Sequence, residues 1–133
     1  MKPSTNATSR LLARSLLLTA ALAVMTGCAS LHTPTGAPIS DMSLIAGKWA
    51  GTIDRGGSEE PFYVTINPDG TLTAMWPTNY TSGRIMLQGG KATFEMEPGV
   101  YEGTVTLYDD GGKRTLVLDD LWKSFVARVT PQG

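Results

Sequence analysis

Residues 62–76 read Phe62-Tyr63-Val64-Thr65-Ile66-Asn67-Pro68-Asp69-Gly70-Thr71-Leu72-Thr73-Ala74-Met75-Trp76. Apolar side chains recur at every second position on both flanks: Phe62, Val64 and Ile66, then Leu72, Ala74 and Trp76. A period of two collects them on one face of a pleated strand, where a helix would scatter them. Between the flanks, Asn67-Pro68-Asp69-Gly70 sets the fixed φ of Pro and the freedom of Gly where a tight turn uses them. The stretch predicts a β-hairpin with one apolar and one polar face.

The same period extends in both directions. Upstream it is Trp49, Gly51 and Ile53; downstream it is Ile85 and Leu87, then Ala92, Phe94 and Met96, then Val105 and Leu107, Leu116 and Leu118, and Phe125, Ala127 and Val129. The intervening positions are rich in Thr, whose β-branch suits a pleated surface better than a helix. Gly89-Gly90, Asp109-Asp110-Gly111-Gly112 and Glu97-Pro98-Gly99 supply further turns, with longer gaps at residues 55–60 and 77–82. Connections this short force antiparallel neighbours, since a parallel crossover takes a dozen residues or more. Eight strands of about six residues, each apolar on one face, predict an all-β fold: a small antiparallel up-and-down barrel, closed or flattened. At eight strands the interior holds side chains or one small ligand.

Residues 1–27 carry Lys2, Arg10 and Arg14 and no acid. A polar, basic stretch, an apolar run over residues 16–25 and small residues at Thr26-Gly27-Cys28-Ala29 form the secretory signal pattern, a signal helix removed on export. The apolar run is about half of what a spanning helix needs. Met25-Thr26-Gly27-Cys28 resembles the lipobox of bacterial lipoproteins. That resemblance implies a diacylglyceryl thioether on Cys28 and cleavage before it, and several acyl chains hold a protein stably at a bilayer where one does not. Ala29 in place of Asp implies, by the same resemblance, outer-membrane sorting with the domain facing the periplasm. Residues 28–43, broken by Pro34, Gly36 and Pro38, read as the lipidated Cys and a flexible tether. Residues 44–133 are then the folded domain.

Leu44-Ile45-Ala46-Gly47-Lys48-Trp49 resembles the Gly-x-Trp opening of lipocalins and related small bacterial barrels, among them periplasmic metalloprotease inhibitors. The resemblance implies a lipocalin-like barrel in which Gly47 and Trp49 plug one end and a basic residue of the last strand, Arg128, packs across the ring. The inhibitor family's disulfide is impossible with Cys28 as the single cysteine.

Composition excludes several activities. The whole chain has net charge −1, but residues 28–133 hold 8 of the 11 Lys and Arg and all 12 acids, hence −4. That balance argues against nucleic acid as a partner. The one histidine, His32, lies in the tether, so neither a hydrolytic triad nor a His/Cys metal site can be assembled. Neither Asn67-Pro68-Asp69-Gly70 nor Asp109-Asp110-Gly111-Gly112 has the ligand alternation of a calcium loop. Glu95 and Glu97 stand nearly 7 Å apart by strand rise, near an inverting glycosidase's spacing, but on the polar face, where they read as solvated carboxylates. Glu59-Glu60 and Asp119-Asp120 read as solubility charges, and Arg84 or Lys91 can pair with Glu95 or Glu102 at a surface. No cofactor, metal or enzymatic activity is expected.

The aromatic residues remain. Trp76, Tyr80, Tyr101 and Trp122 either complete the core or form a mouth or patch for a small apolar ligand or an envelope protein. The expected function is a membrane-anchored, non-catalytic binding or interaction module, with a small-ligand carrier or an enzyme inhibitor as alternatives.

Overall fold

The structure is a computed structural model, and it describes residues 33–97 and 101–133. The expected signal segment, Cys28, His32 and the Pro98-Gly99 part of one expected turn lie outside the described residues. Nine strands follow in order: β1 Gly36–Ala37, β2 Gly47–Asp54, β3 Glu59–Ile66, β4 Thr71–Trp76, β5 Asn79–Gln88, β6 Lys91–Glu97, β7 Tyr101–Asp110, β8 Lys113–Asp120 and β9 Val126–Pro131. From β2 to β9 each strand pairs antiparallel with the next, and β9 returns to pair with β2. This is a closed eight-stranded up-and-down barrel. No α-helix occurs among the described residues; a single 3₁₀ turn at Met42–Leu44, capped by Asp41, precedes β2.

The residues of the deciding hairpin behave as their period requires. Val64 faces Ala74 and Ile66 faces Leu72 across β3 and β4, and all four are buried. The Asn67–Gly70 turn is closed by Gly70 N donating to Asn67 O at 2.9 Å. Asp69 accepts from Thr71 Oγ1 at 2.7 Å and Thr71 N at 2.9 Å. These bonds, the side-chain one first, hold its carboxyl below the usual carboxylate range. Their share of stability is present at neutral pH and is lost as pH falls through that lowered value.

Two departures from the period have local causes. The chain expected to loop at residues 77–82 instead turns at Pro77-Thr78 and re-enters the sheet at Asn79. The inward positions of this half of β5 are Thr81 and Gly83, so no apolar alternation announces it. Thr81 is 3% exposed and its hydroxyl donates to the carbonyl of Glu97 across the ladder. Gly83 sits where the sheet coils so tightly that a Cβ would land on the carbonyl oxygen of Glu95. Barrel strands therefore run from six to ten residues, longer than the expected six. The second gap shortens to residues 55–58.

The described part of the tether also departs from a linker. Gly36 and Ala37 pair with Tyr108 and Leu107 on β7, continuing the edge that β6 leaves, and Ile39 N donates to Gly90 O at 3.0 Å. Ile39 is 2% and Ile45 0% exposed, both packed into the core. The folded unit thus begins before Leu44, because these two side chains cover the end of the barrel that the strands leave open.

Two substitutions test this account by denaturant titration. Ile39→Ala is expected to cost about 2–4 kcal/mol, whereas a residue of a flexible tether would cost nothing. Gly83→Ala is expected to cost about 2–4 kcal/mol, because the backbone it strikes cannot yield.

Candidate functional site

Each end of the barrel is built around a tryptophan. At the end where the chain enters, Trp49 is 2% exposed and its Nε1 donates to Ile45 O at 2.8 Å. Gly47 has φ 132°, a conformation other residues avoid, and this admits the chain to β2. The cation over the Trp49 ring is Arg114, with its guanidinium carbon 5.3 Å from the centroid. The expected partner, Arg128, is exposed on the outer face of β9, opposite Thr52 and Val117. The correction follows from strand parity: Arg114 shares the inward side of β8 with Leu116 and Leu118, whereas Arg128 alternates with inward Ala127 and Val129.

At the opposite end, Trp76 closes β4 and is 5% exposed. Phe62 lies 5.9 Å from it, and the Arg55 guanidinium carbon stands 5.8 Å over its ring. Tyr101 meets Phe125 edge-on at 5.6 Å, and Phe94 lies 6.0 Å from Phe125. Ile53, Phe62, Trp76, Met96, Tyr101 and Phe125, with Arg55 and Ser124, line a cavity of about 70 Å³. Trp76 Nε1 is buried with no hydrogen-bond partner among the described residues. The other sixteen of the twenty-one buried apolar side chains fill the rest of the interior.

The loop between β8 and β9, residues 121–125, rims this end. Asp120, 0% exposed, accepts from the backbone N of Ser124 at 3.2 Å and from its hydroxyl. Lys123 N donates to Asp120 O at 2.9 Å, Leu121 N donates to Glu102 O at 2.8 Å, and Lys123 takes φ 57°. Lys123 also pairs with Asp119 at 2.6 Å, an exposed pair worth under about 1 kcal/mol. A buried carboxylate and three backbone donors thus fix a loop that holds Leu121 59% and Trp122 76% exposed.

The four aromatic candidates are therefore divided. Trp76 and Tyr101 share the cavity wall; Trp122 is on the loop rim; Tyr80, 61% exposed, lies on the outer surface. Tyr80 is directly opposite Met75, and Met75 opposite Tyr63, giving an exposed row across β3, β4 and β5. The register sets Arg84 opposite Glu95 and Glu95 opposite Glu102, but the expected pairs of Arg84 or Lys91 with these acids do not form; Lys123–Asp119 is the ion pair among the described residues.

Charge is distributed unevenly along the barrel. Assigned by the nearer strand end, with Arg84 counted beside Glu95, which it faces, the Trp49 half holds Lys48, Lys91, Lys113 and Arg114 against Asp41, Asp69, Asp109 and Asp110, a net 0. The Trp76 half holds Arg55, Arg84, Lys123 and Arg128 against Asp54, Glu59, Glu60, Glu95, Glu97, Glu102, Asp119 and Asp120, a net −4. Among the described residues no three His, Cys, Asp or Glu side chains gather as metal ligands.

Sequence reasoning did not assign Arg55, Phe62 or Phe125 to this end, and it read Asp120 as a solubility charge, whereas Asp120 is buried and holds the loop. Their partners are distant in sequence, so only parity, which turns Asp120 inward beside Leu118, could have marked one of them. No protein-family model, curated protein or solved structure matches the chain.

Thermal unfolding separates the two arginines: Arg114→Ala is expected to cost about 1 kcal/mol through the lost ring contact, and Arg128→Ala less than about 0.5 kcal/mol. Asp120→Ala is expected to speed amide hydrogen exchange at residues 121–125 while the β3–β4 ladder stays protected.

Proposed function

We propose that the protein is a bacterial lipoprotein, held at the cell envelope through acyl chains on Cys28 and facing the periplasm from the outer membrane. Its barrel then serves as a non-catalytic binding or interaction module. The observation that carries the binding half of this reading is a filled interior whose exposed apolar and aromatic side chains are concentrated outside it. A carrier needs an enclosed void of several hundred Å³ for a drug-sized or lipid-like molecule. The cavity of about 70 Å³ beneath Trp76 takes a few carbon atoms at most. Recognition by the outer surface and the Trp76 rim is favoured over transport.

The anchoring half rests on the order of basic, apolar and small residues before Cys28, and on a thiol that lies at the end of the apolar run. Such an address brings the domain to a bilayer without any membrane-crossing helix. A non-catalytic role is supported by the residue inventory: among Ser, Asp and Glu there is no base of the histidine kind in the barrel sequence to activate a nucleophile.

Expression of Cys28→Ser in a Gram-negative host is expected to block processing and move the chain from the membrane to the soluble fraction. Unchanged processing and fractionation would remove the anchor from this reading. Palmitate titrated into the purified protein is expected to leave tryptophan fluorescence unsaturated and nearly constant, whereas a stoichiometric, saturable quench would restore the carrier.

A further inference from the structure

The Trp76 end combines three features that narrow the class of partner the proposed function leaves open. It is strongly acidic, it displays two large apolar side chains, and it lies at the opposite end of the barrel from the point where the chain enters. Leu121 and Trp122 are held out by a loop whose backbone is already fixed by Asp120, so little ordering entropy remains to be lost on contact. Tryptophan on a rigid support is the commonest kind of anchor in protein interfaces.

We infer that this end is a docking face for a basic polypeptide segment, with Trp122 as the apolar anchor and the carboxylates of the same half, Glu95, Glu97 and Glu102 among them, as its electrostatic complement. The inference rests on the non-catalytic interaction module proposed above and names the class of its partner. Charge decides among the possible occupants. The net −4 of this half attracts a cationic chain, and Glu97 and Glu102 are neither buried nor ion-paired among the described residues. Two copies meeting through this end would bring two such charges together, so a second copy of the chain is disfavoured. An anionic bilayer is repelled in the same way.

The test uses the full-length chain in nanodiscs of neutral phosphatidylcholine and a short fluorescein-labelled peptide of alternating Lys and Leu, read by anisotropy. Binding is expected, about tenfold weaker in Trp122→Ala, and several-fold weaker in the double variant Glu95→Gln, Glu97→Gln. The matched double variant at the other end, Asp109→Asn, Asp110→Asn, is expected to bind as the parent does, and raising salt weakens binding throughout. The inference is overturned if the peptide does not bind, if Trp122→Ala binds equally well, or if both charge pairs weaken binding alike. It is also overturned if a Glu-for-Lys peptide binds as tightly, or if Trp122 alone shows a lipid-induced blue shift in the nanodisc. Unchanged membrane fractionation of Cys28→Ser would count against the proposed location and leave the peptide result to be read separately.

Discussion

The ladder between β2 and β9 is the contact on which the rest of the structure depends. Every other pairing in the barrel joins strands adjacent in sequence, and those hairpins alone would make an open, twisted sheet with its apolar face in water. Pairing Gly51 with Val129 and Ile53 with Ala127 closes the sheet and converts that face into a core. Closure also removes both free edges, which would otherwise template aggregation. With no disulfide available, this ladder and the side chains behind it carry the fold.

Closing a sheet leaves two open ends, and the chain treats them differently. At the Trp49 end the residues before β2 fold under the barrel, so Ile39 and Ile45 complete the core and Arg114 covers the ring. At the Trp76 end the described residues offer an aromatic cluster, a small cavity, an indole N–H without a partner among them, and a hydrogen-bonded loop with an exposed tryptophan. The end sealed by the residues before β2 is structural; the Trp76 end is the one to which the proposed docking is assigned.

The barrel was legible in the sequence because eight runs alternate and the turns between them are chemically explicit. Residues 62–76 show this best, since both flanks and the turn agree. What escaped was any feature whose inward residue is not apolar. The first half of β5 is inward at Thr81 and Gly83, and so reads as a loop. Ile39 is a single apolar residue among prolines, without a period to announce its burial. Arg114 and Arg128 are indistinguishable by composition; only the parity of their strands separates the ring's partner from a surface cation. At the candidate site, the choice of Trp76 and Tyr101 as neighbours could be guessed from strand ends, but the acidic polarity of the barrel could not. It emerges only when alternate strand directions bring Glu59, Glu97 and Glu102 to one end.

The closing ladder has a kinetic consequence. β2 and β9 stand at opposite extremes of the folded sequence, so the contact that completes the core is also the one of greatest chain separation. Its loop-closure entropy is lost before the reward arrives, which makes closure the slow step and the hairpins its fast precursors. Until residues 126–131 are in place, the growing sheet keeps two reactive edges. A chain shortened by those few residues would lose far more than one strand's worth of stability, because it would forfeit the state in which the sheet has no edge at all.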